Sequence, residues 1–427
     1  MLSWEYPPHI SGGLGTACEG LSTELGRKGH AVDLLLPKVL EDHKAKRNVS
    51  LLSASDINVD EPLWTEEVEI TKTLKKLHFG TNLLPYLPAE HFIEEYEETV
   101  TEKKTVVKGE RKAVEGINLT GKYGSNTFGE IHKYALIAAQ QALNNHYDIV
   151  HAHDWVTFKA AELIQNLTKT PVFFHSHSIE FDRNGVHGNP VVTEIEKSAI
   201  SKARYVLAVS HRLKKTIATH YSRKEEDLEV VPNGLTSSVS QAKTPATKRR
   251  LGFVGRLTHQ KGPSHFLDIA QDLRSKFPNL EYRIVGDGYL MPELRKKVDH
   301  INLAQKVSFS GFIPPNRVKA EMRKMDLLIA PSQSEPFGLV ILEALFHGIP
   351  VITTPETGIA EFIPSLPQIP SWDTFQYSQL IAKLLGDEKE RLALLEKCQA
   401  EASSLTWSNS GNLIEVLYFK VLDHQRL

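Results

Sequence analysis

Short runs of apolar residues alternate along the chain with longer stretches in which apolar residues recur at helical spacing. The short runs are mostly unbroken, unlike the alternating pattern of a half-buried strand, and this is typical of parallel strands covered on both faces. The strands predicted in this way include residues 32–36, 149–151, 172–175, 205–209, 249–254, 282–285, 307–310, 327–330 and 351–354. Strands that alternate with helices predict an α/β protein with parallel sheets.

One stretch between these patterns has neither kind of periodicity. Residues 236–248, TSSVSQAKTPATK, contain no aromatic residue and only one large aliphatic residue, Val239, so they predict a linker. The linker divides the chain into residues 1–235 and a second domain that begins at residue 249. A chain of 427 residues is long enough to build a separate core in each part.

Two segments stand out by charge. Residues 60–115 are rich in Glu and Lys and predict a solvated excursion from the first domain. Residues 197–224 contain eight Lys or Arg and no acidic residue. They would suit a membrane surface or an anionic acceptor, but the apolar strand predicted at 205–209 favours an ordinary strand with basic flanking helices over membrane contact.

The overall composition limits the classes of function. Fifty basic and fifty-two acidic residues give a net charge of −2, so no overall positive field favours a nucleic-acid partner. The two cysteines, Cys18 and Cys398, are far apart and have no metal-ligand spacing, which fits a reducing compartment. The sequence shows no apolar run of membrane-spanning length and no secretory signal pattern. We therefore expect a cytoplasmic protein.

The segment SEPFGLVILEALFHG, residues 334–348, contains two carboxylates, Glu335 and Glu343. Glu335 stands beside Pro336 and Gly338 at the start of an apolar run, so it is predicted in a loop that leads into a helix. Glu343 is predicted inside that helix, where a charge among apolar residues is costly without a partner. The free N–H groups of the helix start would bind a phosphate, and Glu343 would bind hydroxyls attached to it. Alternatively, Glu335 only caps the helix and Glu343 pairs with a cation elsewhere.

Two other segments carry residues suited to phosphate. In GFVGRLTHQKG, residues 252–262, a glycine turn after a strand presents Arg256 and Lys261, a planar fork and a mobile point charge that together clamp two phosphates. In SGGLGTA, Gly13 and Gly15 precede a helical pattern and offer a second anion site at a helix start. Neither this segment nor VGDGYL completes a dinucleotide fingerprint, so an NAD site is not expected.

Four histidines are predicted at two strand ends. HAHDW contains His151 and His153, and FFHSHS contains His175 and His177. The carboxyl ends of parallel strands form the ligand crevice, and alternate residues of a strand point the same way. Two His-x-His pairs are therefore compatible with a metal site. The interpretation we favour is that one histidine of each pair meets substrate while the other forms a hydrogen bond within the fold.

The segments GGLG, HAHDW, VPNG, GRLTHQKG, VGDG and SEPFGLVILEAL follow one another in a recognisable order. With these separations they resemble the retaining, nucleotide-sugar-dependent glycosyltransferases of family 4 and the related glycogen and starch synthases. The likeness covers nearly the whole chain. It implies the GT-B fold, two Rossmann-like α/β domains with parallel sheets facing a central cleft. Residues 249–407 would bind the nucleotide sugar, residues 1–235 would face the acceptor, and residues 408–427 would form a helix that crosses back to the first domain.

The resemblance also implies roles for individual residues. Arg256 and Lys261 would neutralise the donor diphosphate, while Glu335 would contact the transferred sugar near its reacting carbon. His153 would contact the same sugar from the first domain, through its 6-hydroxyl. Gly13 and Gly15 would approach the phosphates, and Phe312 lies in the loop against which the base would rest. The backbone N–H groups of Gly338 and Leu339 would bind the diphosphate. Glu343 would hold the ribose hydroxyls.

The segment HSHSIEFDRNG resembles the acceptor side of glycogen-synthase-like members, which would place His177, Glu180 and Arg183 along the acceptor. The chain contains no Asp-x-Asp motif, in keeping with transferases of this fold that use cationic side chains instead of a metal. No metal or other cofactor is therefore expected. The donor would be a UDP-, ADP- or GDP-linked sugar and the acceptor a carbohydrate or another hydroxyl compound.

Two alternatives share this architecture. One is a noncatalytic protein that binds a nucleotide sugar or a glycan, although such a protein would not need Glu335 together with Arg256 and Lys261. The other is an epimerase or hydrolase of nucleotide sugars. Donor hydrolysis without an acceptor, or inversion of a sugar hydroxyl, would indicate the second class.

Overall fold

The computed structural model describes residues 1–8, 12–60, 104–108, 111–115, 117–124, 126–235 and 249–425. The chain divides into two compact units. The first unit consists of Met1–Ala208, Lys214–Val231 and the segment from Gly411, and the second of Val209–Leu213 and Pro232–Ser410. The predicted linker, residues 236–248, lies outside the described residues. The predicted domain boundaries therefore stay a prediction.

The first unit is built on parallel strands, with helices in the connections between them. Its strands are β1 (Val32–Leu36), β2 (Val49–Ser53), β3 (Val59–Asp60), β4 (Lys104–Lys108), β5 (Arg111–Glu115), β6 (Val150–His153), β7 (Val172–Ser176), β8 (Tyr205–Ala208) and β9 (Leu228–Val230). Its helices are α1 (Gly13–Arg27), α2 (Thr127–Asn144), α3 (Trp155–Thr168), α4 (Glu180–Asn184), α5 (Pro190–Lys202) and most of α6 (His211–His220). The first three residues of α6 belong to the second unit.

The parallel strands of the first unit pair in the order β2-β1 and β6-β7-β8-β9. Leu2 joins these two groups because it bridges Leu35 of β1 and Ala152 of β6. Local sequence signals start the connecting helices: at α5, for example, the Asn189 side chain accepts hydrogen bonds from two backbone N–H groups of the first turn, and Pro190 follows at the first helical position. Because β6 and β7 are parallel neighbours in the sheet, their carboxyl ends lie side by side.

The charged stretch at residues 60–115 is only partly described. Its described parts, together with Val59, form an antiparallel sheet in the order β3-β5-β4. The prediction of a plain solvated excursion therefore missed these strands, because lysine, arginine and glutamate occupy many positions of KTVVK and RKAVE and mask the β-branched residues. The rest of the stretch lies outside the described residues.

The second unit has a parallel sheet in the order β12-β11-β10-β13-β14. Its strands are β10 (Arg250–Val254), β11 (Glu281–Val285), β12 (Val307–Phe309), β13 (Leu327–Ile329) and β14 (Val351–Ile352). Its helices are α7 (Pro263–Leu273), α8 (Met291–His300), α9 (Pro315–Met322), α10 (Leu339–Phe346), α11 (Thr374–Gly386), α12 (Glu388–Ala402) and the start of α13 (Trp407–Gln425).

A continuous core fills the second unit. Buried strand residues such as Phe253 and Ile284 pack with Phe266 of α7 and Tyr377 of α11 in one apolar cluster. Burying such side chains contributes about 1.5 to 3 kcal/mol each. This core holds the strands rigidly, so the loops at their carboxyl ends start from fixed positions.

The α/β class and all the strands named in the sequence analysis are confirmed, with ends that differ by up to two residues. The short strands β2 and β9 were not predicted. From Gly411 onward α13 belongs to the first unit, where Glu415 contacts Lys28 Nζ and His30 Nε2 at 2.8 Å each. Among the helices of the described chain, none is both long enough and apolar enough to cross a membrane.

Candidate active site

The loops at the carboxyl edge of the second unit's sheet pass very close to one another at glycines. At Gly286, which has a φ of 136°, a Cβ would lie 1.9 Å from the carbonyl oxygen of Gly255. At Gly262, with a φ of 67°, a Cβ would lie 2.1 Å from the carbonyl oxygen of Pro331. Only glycine tolerates both the backbone conformation and this spacing. The loop that carries Arg256 and Lys261 is thereby fixed against the loops that follow β11 and β13.

Lys261 and Glu335 form an ion pair in this cluster of loops. Lys261 Nζ lies 2.5 Å from Glu335 Oε2, and the two side chains are only 19% and 10% exposed. The backbone of Glu335 is held on both sides, because its N–H donates to Glu356 O and its carbonyl accepts from Gly358 N. Two residues predicted to act on different parts of a donor therefore lie within hydrogen-bond distance of each other.

The helix start after Glu335 has the form that the sequence predicted. Gly338, with a φ of 112°, is the residue before α10, and Leu339 is its first helical residue. The first N–H groups of a helix have no partner within the helix and carry a partial positive charge. This helix start is only three residues after Glu335 in the sequence. An anion bound there would therefore be near the carboxylate that pairs with Lys261.

Glu343 lies inside α10, as predicted. Burial raises the pKa of the Glu343 carboxyl, while the charge of Lys319 acts in the opposite direction. Within the described residues its carboxylate has neither a hydrogen bond nor an ion pair, and this does not favour the alternative in which Glu343 pairs with a cation. A carboxylate kept partly buried without a partner is available to accept hydrogen bonds from a ligand.

Two more predicted donor contacts lie at this edge of the sheet. Arg256 lies two residues after the end of β10 and is partly buried. Phe312 follows the end of β12 and is 69% exposed, in a loop that turns at Gly311 with a φ of 66°. A large aromatic side chain left exposed at a strand end can stack against a flat ring such as a nucleotide base.

The glycines near the amino terminus lie inside a helix and not before it. Helix α1 begins at Gly13, four residues earlier than the pattern starting at Ala17 predicted, so Gly13 and Gly15 belong to its first turn. Gly12 is the residue before the helix and has no side chain to cap it. The helix start is thus formed by backbone alone, which suits the predicted approach of a ligand to these glycines.

In the first unit the four histidines form a stacked array at the ends of β6 and β7. His151 Nε2 lies 3.1 Å from His175 Nδ1, and His153 Nδ1 lies 3.0 Å from His177 Nε2. His151 Nδ1 also lies 2.5 Å from the hydroxyl of Tyr418. Burial lowers the pKa values of His151, His153 and His175 well below the ordinary value, so these rings are neutral.

The array does not have the geometry of a metal centre. His151, His153 and His175 are the one group of three ligand side chains among the described residues with ligand atoms close enough for an ion, within 4.8 Å of one another. However, the rings of His151 and His153 are parallel to within 8° and have centroids 4.5 Å apart. An imidazole lone pair lies in the plane of its ring, so two stacked rings do not aim at the same ion.

The division of roles expected of each histidine pair stays a prediction, but the contacts of His151 and His153 differ. His151 uses both ring nitrogens within the fold, whereas Nε2 of His153 is fully buried and has no hydrogen-bond partner among the described residues. A buried polar atom without a partner is costly unless a ligand satisfies it. His153 therefore keeps one ring nitrogen without a partner among the described residues, although its ring is fully buried.

Glu180 and Arg183 lie inside the first unit. Arg183 donates to the carboxylates of Glu180 at 3.0 Å and Glu196 at 2.5 Å, and the side chains of all three are 3% exposed or less. Tyr221 donates to Glu196 as well. Despite Arg183, burial raises the pKa of Glu196 to about 7. These contacts give Glu180 and Arg183 a structural role, and their burial does not favour the prediction that they contact an acceptor directly.

Sequence reasoning did not single out Asp154. It has a φ of 58°, unusual for a residue with a side chain, and is 7% exposed. Its carboxylate accepts hydrogen bonds from the backbone N–H groups of His177 at 2.6 Å and Ser178 at 3.3 Å. Nothing local in HAHDW indicated that the partners of Asp154 lie directly after the next strand, β7.

Two Rossmann-like units, each with a parallel sheet and functional residues at strand ends, define the GT-B class of glycosyltransferases. The sequence pattern described as starch synthase catalytic domain matches residues 1–230, and that of glycosyl transferases group 1 matches residues 237–400. The first match covers more than half of the 427 residues. The chain thus belongs to the glycosyltransferase family of the glycogen and starch synthases.

Relatives agree with this assignment. An uncharacterised glycosyltransferase of Methanocaldococcus jannaschii is 26% identical over 380 residues, which cover 85% of this chain and 82% of the relative. A glycogen synthase of Mycobacterium tuberculosis is 25% identical over 377 residues, covering 85% and 79%. The likeness therefore extends over most of both chains, and the protein is a glycosyltransferase of this type.

Solved structures share the fold. Sucrose-phosphate synthase of Thermosynechococcus elongatus has a TM-score of 0.71 at 16% identity, covering 99% of this chain and 98% of its own. The catalytic domain of Arabidopsis thaliana starch synthase IV, bound to ADP and acarbose, has a TM-score of 0.65 at 17% identity, covering 99% and 98%. The Anabaena protein HepE in complex with UDP-glucose has a TM-score of 0.60 at 19% identity, covering 69% and 84%. At these identities the likeness concerns the fold alone.

Proposed function

We propose that this protein is a retaining hexosyltransferase that moves a sugar from a nucleoside diphosphate to a hydroxyl of a carbohydrate acceptor, as a glycogen synthase does. The observation that carries the proposal is the ion pair between Lys261 and Glu335 immediately before the glycine-led start of α10. It combines a cation for phosphate, a carboxylate for a sugar and free backbone N–H groups in one place. A protein that only binds its ligand has no need of this combination.

The proposed reaction breaks the bond between the anomeric carbon and the phosphate oxygen, and forms a bond from that carbon to the acceptor oxygen on the same face. Arg256, Lys261 and the N–H groups at the start of α10 stabilise the negative charge on the departing diphosphate. The carboxylate of Glu335 stabilises the positive charge that develops at the anomeric carbon. The proton of the acceptor hydroxyl passes to the departing phosphate oxygen, and no covalent sugar–enzyme intermediate is required.

Glu343 would accept hydrogen bonds from the ribose hydroxyls of the donor, and Phe312 would stack against its base. His153 would bind the 6-hydroxyl of the sugar through Nε2. The proteins of this fold that were solved with UDP-glucose or ADP support a nucleotide-sugar donor. We also propose that no metal takes part and that the enzyme works in the cytoplasm. The geometry of the histidine array supports the first of these statements, and the reduced state expected of the two cysteines supports the second.

The proposal is tested first by a thermal-shift screen against UDP, ADP, GDP and their glucose conjugates. A true donor raises the unfolding midpoint progressively with concentration. At one hundred times Kd it adds about 2.7 kcal/mol to the free energy of unfolding. Transfer to a glucan acceptor is then measured with the donor that gives the largest shift. If none of these compounds changes the midpoint, the transferase proposal fails. Donor hydrolysis that an acceptor does not accelerate would instead indicate a nucleotide-sugar hydrolase.

A further inference from the structure

Ser210 is the residue before α6 and belongs to the second unit, as does the loop that carries Glu335. Its side chain is fully buried, and its hydroxyl donates to the carbonyl oxygen of Pro336 at 2.6 Å. A carbonyl oxygen only accepts, so the direction of this hydrogen bond is fixed. We infer that Ser210 is a positioning residue, which holds the backbone from which the carboxylate of Glu335 projects. This inference rests on the role proposed for Glu335 in sugar transfer.

Three hydrogen bonds hold the backbone at Glu335 and the residue after it. The N–H of Glu335 donates to Glu356 O at 2.9 Å, and its carbonyl oxygen accepts from Gly358 N at 2.8 Å. Both of these partners are main-chain groups, which a substitution does not remove. Pro336 has no N–H, so its carbonyl oxygen is its one backbone polar group. The hydrogen bond from Ser210 to that oxygen is the one of the three that depends on a side chain.

The packing around Ser210 connects it to both sides of this backbone. A Cβ at Gly358 would lie 2.0 Å from Pro336 O and 2.7 Å from Ser210 Oγ, so the three groups meet at one point. Ser210 Oγ also accepts from the N–H of Leu213, in the first turn of α6, at 3.0 Å. Loss of the hydroxyl would therefore remove a partner from two buried backbone groups and leave space where the loop can shift.

The start of α6 is itself anchored to the same part of the second unit. The backbone N–H groups of His211 and Arg212 donate to the carboxylate of Glu361 at 2.8 and 2.5 Å. Arg212 also forms an ion pair with Glu356 at 2.6 Å. The carbonyl of Glu356 is the group that accepts from the N–H of Glu335. The segment that carries the serine is thus fixed against the backbone that it would position, as such a role requires.

Ser210→Ala removes the hydroxyl and leaves every charged group of the proposed site in place. In the proposed reaction Arg256, Lys261 and the start of α10 bind the diphosphate. Glu335 acts on the charge that develops at the anomeric carbon, so a displaced carboxylate should affect the transition state more than donor binding. We expect kcat to fall about tenfold, while KM for the donor changes less than about twofold.

Ser410→Ala is the matched control. The hydroxyl of Ser410 also donates to a proline carbonyl, that of Pro232, at 2.6 Å, and Ser410 is 1% exposed where Ser210 is 0% exposed. Each substitution removes one buried hydrogen bond of the same kind, so the two should lower the unfolding midpoint by similar amounts. Only Ser210→Ala should lower kcat. If both variants lower kcat equally, or neither does, the positioning role is overturned.

A double-mutant cycle tests whether Ser210 acts through Glu335. Added to Glu335→Gln, Ser210→Ala should change kcat by less than about twofold, because the carboxylate that it positions is already absent. A further loss of about tenfold in the double variant would overturn the inference. Should Ser210→Ala not fold, Ser210→Cys takes its place in the cycle with an expected loss of about threefold, since a thiol is a weak donor. Unchanged kcat in Ser210→Cys would then overturn the inference.

Hydrogen exchange without substrate separates this inference from the proposed function. Exchange is followed by mass spectrometry in peptides that contain residues 335–338 and 356–359. We expect the N–H groups of Glu335 and Gly358 to exchange about tenfold faster in Ser210→Ala than in the unsubstituted protein, and no faster in Ser410→Ala. Equal exchange in the two variants overturns the inference, whether or not the protein transfers sugar. Faster exchange in Ser210→Ala alone, with no transfer by the unsubstituted protein from any nucleotide sugar, would overturn only the proposed function.

Discussion

At the scale of single residues, the candidate site depends on charges kept in partly buried positions. Lys261 and Glu335 neutralise each other, whereas the carboxylate of Glu343 has no ionic partner among the described residues. Such groups are costly to bury unless a ligand uses them. The unpartnered carboxylate of Glu343 is therefore the group that most needs a ligand, as the proposed donor site supplies.

Lys261→Ala should lower kcat/KM by an amount equivalent to about 2 to 4 kcal/mol, because it removes one charge from the developing diphosphate and leaves Glu335 without its cation. The measurement is transfer kinetics with the donor found by thermal shift. Lys296→Ala is the control, since Lys296 is exposed on α8. Unchanged turnover in Lys261→Ala would refute the proposed phosphate clamp.

Asp154→Asn should change stability in a pH-dependent way. Burial raises the pKa of Asp154 from 3.8 to about 6, so the folded protein binds this proton more tightly than the unfolded chain does. Its contribution is therefore full below about pH 4 and is lost as the pH rises through 6. Asn keeps an oxygen for the N–H groups of His177 and Ser178 but does not ionise.

We expect the unfolding midpoints of Asp154→Asn and the unsubstituted protein to agree near pH 4. Above pH 6 the variant should be the more stable by a few degrees. Thermal unfolding followed by circular dichroism from pH 4 to pH 8 provides the measurement. A difference between the two proteins that does not vary with pH would contradict the assignment of the raised pKa to Asp154.

At the scale of elements, the site is made by loops that follow strands of a rigid sheet. Glycines bring these loops together at contacts that no side chain would fit, as at Gly262 and Gly286. The position of Lys261 therefore depends on the backbone of the neighbouring loop after β13 as much as on its own loop. Changes to this packing should affect donor binding and stability together.

Gly262→Ala should destabilise the protein by more than about 1 kcal/mol and weaken donor binding, because its Cβ would lie 2.1 Å from Pro331 O at a φ of 67°. Gly386→Ala is the matched control. Gly386 ends α11, and a Cβ there meets no heavy atom within 4 Å. Chemical unfolding and titration with the nucleoside diphosphate measure both effects. Equal stability of the two variants would contradict the close-packing argument.

At the scale of the whole molecule, both units use the same plan: a parallel sheet with functional residues where its strands end. The cations and carboxylates proposed for the donor lie in the second unit, and the histidine array lies in the first. Among the described residues, His151, His153 and His175 are the three side chains whose ligand atoms are close enough for a metal ion, but two of their rings are stacked. In the proposed reaction, charge stabilisation comes from side chains and helix starts.

Treatment with a chelator should accordingly leave transfer activity unchanged, because Arg256, Lys261 and the start of α10 supply the positive charge. Activity is measured before and after dialysis against EDTA, together with the zinc, magnesium and manganese content by elemental analysis. A loss of activity that one of these ions restores would contradict the metal-free proposal. Bound zinc that disappears in His151→Ala would place the ion in the histidine array.

The sequence by itself determined the α/β class, the strands that carry the site and the donor motif. These features are local: buried strands need unbroken apolar runs, and Gly338 followed by an apolar helix that contains Glu343 reads directly from residue order. The strands β4 and β5 were missed because their charged residues hide the β pattern.

Only the tertiary structure decided how residues distant in the chain are paired. Lys261 and Glu335 are 74 positions apart, and His153 and His177 are 24 apart. The order of strands in each sheet sets these distances, and residue spacing alone does not. The same holds for Glu180 and Arg183, which the family resemblance placed along the acceptor and which the structure buries beside Glu196. Burial and pairing are properties of the packed core, which local sequence patterns do not contain.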